Sequence, residues 1–153
     1  MKLAFIHADP AEHFSARLTK LFTGSTAYHC GFVDEATGTF FDMHLLPRKC
    51  DWPRYAAPKW VVLYEVPGLT REACEGFLQR DSIHTYGWID YLLFGLRPLY
   101  HLVGKSTRNA GGLICSEMCA LWLRNAGFNA PFDPVPSPAD LERWATGALH
   151  RDD

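Results

Sequence analysis

The sequence predicts a single α+β domain, and three observations carry that reading. At 153 residues there is room for one sizeable core and little for a second. Hydrophobic residues make up 48% and aromatics 14%, which excludes a disordered chain. Short β-rich runs in the first half give way to segments with apolar residues at helical spacing in the second.

Residues 2–8 are rich in β-formers and read as a short strand, and Ser15 opens a helix over 15–22 that Gly24 stops. Strands over 27–33 and 39–45 flank Asp-Glu-Ala-Thr-Gly, a run of turn residues, and together read as a hairpin. The stretch 47–59, with three prolines, reads as loop. Residues 60–66 (WVVLYEV) form the clearest strand, and Thr70 caps a helix to about Arg80. From 81 to 112 an apolar helical stretch, a Pro stop and a Gly- and Asn-rich loop suggest a site-forming region. Helical spacing returns over 115–125, with Met118, Leu121 and Trp122 on one face and Gly127 as the stop. Ser137-Pro138 opens the last helix.

Fifteen basic against 17 acidic residues leave −2, so no global field draws the chain to nucleic acid or an anionic membrane. No run reaches the roughly 18 apolar residues of a membrane span, and the N-terminus lacks the apolar core of a signal peptide. That points to the cytoplasm, or to a virion if a phage encodes the chain. Five cysteines without a C-x-x-C argue against a disulfide framework and suggest reduced thiols. A metal site drawn from His29, Cys30, His44 and Cys50 lacks finger spacing, and adjacent strand residues point to opposite faces; no metal or cofactor is expected.

With the hairpin turn centred on Glu35-Ala36, His29 stands directly opposite Asp42 on one face, so that the carboxylate can hold the imidazole in one tautomer. A one-residue slip would separate them, and the bland alternative is two half-exposed polar residues. Cys115 follows an Ala-Gly-Gly loop at the start of an apolar helix, where unpaired N–H groups and the helix dipole stabilise a thiolate. It is either a nucleophile or, like Cys119 one turn on, a packing residue.

In this order the motifs resemble the circularly permuted NlpC-like branch of the papain-fold cysteine hydrolases, in which a strand His comes first, a polar partner on the next strand second and the Cys last. The resemblance spans residues 26–127 through YHCGFV, GTFFDMHLL, WVVLYEVPGLTREA, YGWIDYLLF and ICSEMCALWLRNAG. The Cys-Ser-Glu helix start is its most specific part. Cys30 departs from the aliphatic residue usual after the His, and Asp42 stands where Glu is frequent.

The resemblance implies a small antiparallel sheet packed with helices, with Cys115 as nucleophile, His29 as acid and base, and Asp42 as orienting residue. The Cys115 N–H would be one oxyanion donor. Tyr86 is the candidate for the second, with an aromatic at the pocket rim as its alternative. Ser116 joins Tyr86 among the oxyanion and substrate positions, although its place beside Glu117 in the first helical turn also gives it an architectural part. The substrate class implied is the peptide stem of bacterial cell wall, cut by an endopeptidase that a phage tail or lysis assembly delivers. Thioester or lipid-ester chemistry is the rival within enzymes, and a non-catalytic module of an assembly is the rival outside them. The acid-free run from Arg97 to Arg108 reads as a solvated basic loop, with contact to a substrate carboxylate or phosphate as its alternative. A thiolate facing an imidazolium is expected to lower the Cys115 pKa and raise that of His29.

Overall fold

The computed structural model describes residues 1–7, 25–44, 46–56, 59–81, 113–132 and 135–152. The helix expected over 15–22, the segment 82–112 with Tyr86, and the basic loop lie outside them. Six strands form one antiparallel sheet: β1 (Lys2–His7), β2 (Ala27–Asp34), β3 (Thr39–Met43), β4 (Pro47–Asp51), β5 (Trp60–Glu65) and β6 (His150–Asp152), in the order β4-β3-β2-β1-β5-β6. Four helices accompany it among the described residues: α1 (Trp52–Ala56), α2 (Arg71–Asp81), α3 (Cys115–Asn125) and α4 (Pro138–Ala148). The α+β class expected from the sequence is therefore correct at this level.

The two-residue period of the strands divides the core. Leu3, Phe5, Cys30, Phe32, Phe41, Met43 and Tyr64 point to the face that packs α2, α3 and α4, while Ala4, Ile6, Val33 and Phe40 point to the other, which Trp52 and Tyr55 of α1 cover. Helix α3 is held over β2 by Trp122, whose ring stacks on Phe32 at 5.8 Å and 8°. The Trp122 indole N–H donates to the buried Asp81 carboxylate at 2.9 Å, which ties α3 to the end of α2. Helix α4 opens as expected, with Pro138 in its first turn and Ser137 accepting the Asp140 N–H at 2.9 Å. It is joined to β1 by Glu142, 3.0 Å from Nε2 of His7.

Two expectations need correction. Residues 47–59 are not loop: they contain β4 and α1. Strand β4 is a polar edge, with Arg48, Lys49 and Asp51 exposed and Pro47 at its first position, where no ladder N–H is needed; this explains why an apolar pattern was missing. The hairpin register also differs. Asp34 pairs with Thr39, so the turn covers residues 35–38, with Gly38 supplying a positive φ of 65°. Asp42 is consequently opposite Gly31 rather than His29.

Candidate active site

The corrected register moves Asp42 by two residues relative to β2, which keeps it on the same face as His29. The pair is diagonal, and it still meets: His29 Nε2 lies 3.0 Å from Asp42 Oδ2. Gly31 makes this possible. A Cβ there would come within 2.5 Å of the Phe41 carbonyl and 2.6 Å of the Phe40 ring, so Phe40 lies across the glycine and presents its edge to His29 at 6.3 Å. Tyr55 of α1 approaches the His29 ring to 6.2 Å.

Cys115 comes from the other side of the sheet, at the first residue of α3, and its thiol meets both His29 and Cys30. Those two neighbours on β2 point to opposite faces. A register break lies beside them: Ile6 pairs with His29 but His7 pairs with Ala27, leaving Tyr28 as an extra residue in β2. A bulge of this kind increases the local twist of a strand beside the residue that follows it, here His29. The first turn of α3 is buried and supported. Glu117 accepts the Ile114 N–H at 3.0 Å in place of a side-chain cap, and the Ser116 hydroxyl donates to the Pro136 carbonyl at 2.7 Å. The Ser116 side chain thus has a tie to the segment before α4, and its architectural part is visible. Tyr86 lies outside the described residues.

The electrostatics follow from these contacts. Burial alone would lower the His29 pKa, but the charge of Cys115, the hydrogen bonds to Asp42 and Cys115 and the charge of Asp42 outweigh it and hold the ring at about 9. Burial pushes the Asp42 carboxyl up, and His29 and Arg48 bring it below its usual value. Cys115 departs from the expectation of a lowered thiol. Its hydrogen bond to Cys30 and its burial push it well above the ordinary value, while His29 pulls the other way. The helix start, which favours a thiolate, is outweighed by a neighbouring thiol and by an exposure of only 4%. The proton of the resting pair is therefore contested, held on sulfur by Cys30 and burial and drawn off by the imidazole.

Arg48 is a member of the site that the sequence reading missed. Its Nε donates to Asp42 Oδ1 at 2.8 Å and its Nη2 to Oδ2 at 3.1 Å, a two-pronged clamp that leaves Oδ2 shared with His29. The signal was the strand itself, because Asp42 and Arg48 are directly paired once 47–51 is recognised as β4. Lys59 lies with its ammonium 3.3 Å from the Tyr55 ring centroid, adding a second cation at the rim.

Among the described residues no group of three or more His, Cys, Asp or Glu side chains is placed to hold a metal ion, and no helix is long and apolar enough to cross a membrane. What the arrangement offers chemically is a thiol at a helix start, a base in contact with it, and a clamped carboxylate behind the base. No protein-family model matches the chain, and no curated protein matches it.

Proposed function

We propose that the chain is a cysteine hydrolase that cleaves an amide bond, with the peptide stems of bacterial cell wall as its substrate class. The observation that carries this reading is the series Cys115, His29, Asp42, in which one ring nitrogen of His29 is held by Asp42 and the ring also contacts the thiol. This is the geometry of a nucleophile, its base and an orienting group. The papain-like topology and the cell-wall substrate rest on the resemblance of the motifs around these three residues.

In the reaction the proton shared by the pair rests on His29, the Cys115 sulfur attacks the carbonyl carbon as the thiolate, and Asp42 stabilises the imidazolium. The oxyanion takes the Cys115 backbone N–H, which as the first of the helix has no acceptor within it. Tyr86 is the proposed second donor. His29 then protonates the leaving amine, and a water activated by the same ring hydrolyses the thioester to a carboxylate and restores the thiol. A phage tail or lysis assembly is the proposed setting, since an enzyme of this kind needs delivery to the wall.

The test is incubation of the purified protein with muropeptides, followed by mass spectrometry. Shortened stems in the wild type and none with Cys115→Ala are expected. Turnover of acyl thioesters or lipid esters alone would replace the reading with an acyltransferase. No turnover of any of them, with Cys115 no more reactive toward iodoacetamide than the other cysteines, would leave a non-catalytic module.

A further inference from the structure

Four of the five free cysteines, Cys30, Cys74, Cys115 and Cys119, lie in one buried cluster, and three of them, Cys30, Cys115 and Cys119, are on β2 and α3. Their juxtaposition follows from the packing of the two elements. Phe32 lies under Trp122, and Cys30 is two residues before Phe32 on the same face. Cys115 and Cys119 are one turn apart on the face of α3 toward the sheet. The thiols of Cys115 and Cys119 are both near enough to the Cys30 thiol to act on its proton. Of the two, Cys115 is beside a base and is the more exposed, at 4% against 0% for Cys119.

We propose that Cys115 and Cys30 form an oxidative modification site for a peroxide, closing as a disulfide that takes the nucleophile out of use. This rests on the reading of Cys115 as the reactive thiol. In the first step the Cys115 sulfur attacks one peroxide oxygen, the O–O bond breaks, and the departing oxygen takes up the proton that His29 received from Cys115, leaving Cys115 as a sulfenic acid and the peroxide reduced to water or an alcohol. In the second step Cys30 attacks the sulfenic sulfur, the S–O bond breaks, and the hydroxyl leaves with the Cys30 proton as water. Two electrons pass from the sulfurs to the peroxide. An external dithiol reverses the bond and is itself oxidised to a disulfide. Cys30 departs from the aliphatic residue usual after the His, and the cluster gives that departure a chemical use: a resolving thiol stops oxidation before the irreversible sulfinic stage.

The experiment treats the full chain with hydrogen peroxide, blocks remaining thiols with iodoacetamide and maps the cysteines by mass spectrometry without reduction. A peptide pair linking Cys30 to Cys115, lighter by two hydrogens and separated by dithiothreitol, is expected, together with full recovery of any muropeptide hydrolysis after reduction. In Cys30→Val the link should vanish and Cys115 should advance to sulfinic acid, with loss that dithiothreitol does not restore; Cys30→Ser serves if the valine variant does not fold. A link from Cys30 to Cys119, or sulfinic acid at Cys115 in the wild type without a link, would overturn the proposal. The mass readout does not depend on turnover, so a link in a protein that cleaves nothing would sink the hydrolase reading and leave the oxidation site, and turnover without a link would do the reverse.

Discussion

At the residue scale the proposed reaction makes Cys115, His29 and Asp42 one unit, so their losses should not add. Cys115→Ala and His29→Ala are each expected to lower hydrolysis by about a thousandfold or more, and the double variant no further, as measured by kcat/KM with circular dichroism unchanged. Asp42→Ala should cost less than either, and Asp42→Asn less again. The pH profile tests the pair more sharply. The reactive state carries one proton shared by Cys115 and His29, and the alkaline limb of the bell is set by loss of that proton near the His29 value of about 9. Asp42→Asn removes a carboxylate that raises His29, so the alkaline limb should move to lower pH; an unmoved limb would show that Asp42 does not orient the ring. Arg48→Ala removes a cation that draws on the same carboxylate. The expected shift of that limb is therefore upward, opposite in sign to that of Asp42→Asn. The meeting of His29 with Asp42 and the place of Cys115 at a helix start were legible because a His and Asp on facing strands and a thiol after a glycine loop leave marks in sequence. The direction of the Cys115 shift was not, since it depends on Cys30, whose approach is a property of how α3 lies on β2.

At the element scale the hairpin and α3 carry the site, and each has a residue on which its placement depends. Gly31→Ala would drive a methyl group into the Phe41 carbonyl and the Phe40 ring, at an expected cost of about 1–3 kcal/mol in chemical unfolding. Because Phe40 borders His29, kcat should fall as well. Trp122→Ala would remove the stack on Phe32 and take a donor from the buried Asp81, with an expected loss of about 3–5 kcal/mol. The hairpin, β5, α2, α3 and α4 were all legible, each having a two-residue or helical period bounded by turn or cap residues. The missed β4 has neither: an edge strand buries little, so its residues report on solvent rather than on a core. The register was missed by two residues because turn chemistry was centred on Glu35-Ala36, whereas Gly38, with φ of 65°, belongs inside the loop. An even error preserves the face, which is why the pairing of His29 with Asp42 survived it.

At the scale of the whole molecule the site is assembled from residues far apart in the chain, and its protons are linked to stability. His29 has a pKa raised from 6.5 to about 9, so its charged form contributes stability that is fully present below pH 6.5 and is lost as pH rises through about 9. Asp42 has the opposite sign: its contribution is present above 3.8 and is lost as pH falls through its lowered value. The midpoint of thermal unfolding is therefore expected to decline between pH 6.5 and 9 in the wild type, and the decline should be shallower in His29→Ala. A slope equal in the two proteins would mean that His29 is not held in its charged form by the fold. Beyond the site, the two outer strands bear on how copies of the chain meet. A sheet with open sides offers unpaired backbone groups to any passing strand. Here β4 sets a proline and the charged Arg48, Lys49 and Asp51 along one margin, while β6 shortens the other to three residues. A second molecule adding to either side would have to bury charge or would gain only a brief ladder, so the described margins guard the sheet against growing into fibres.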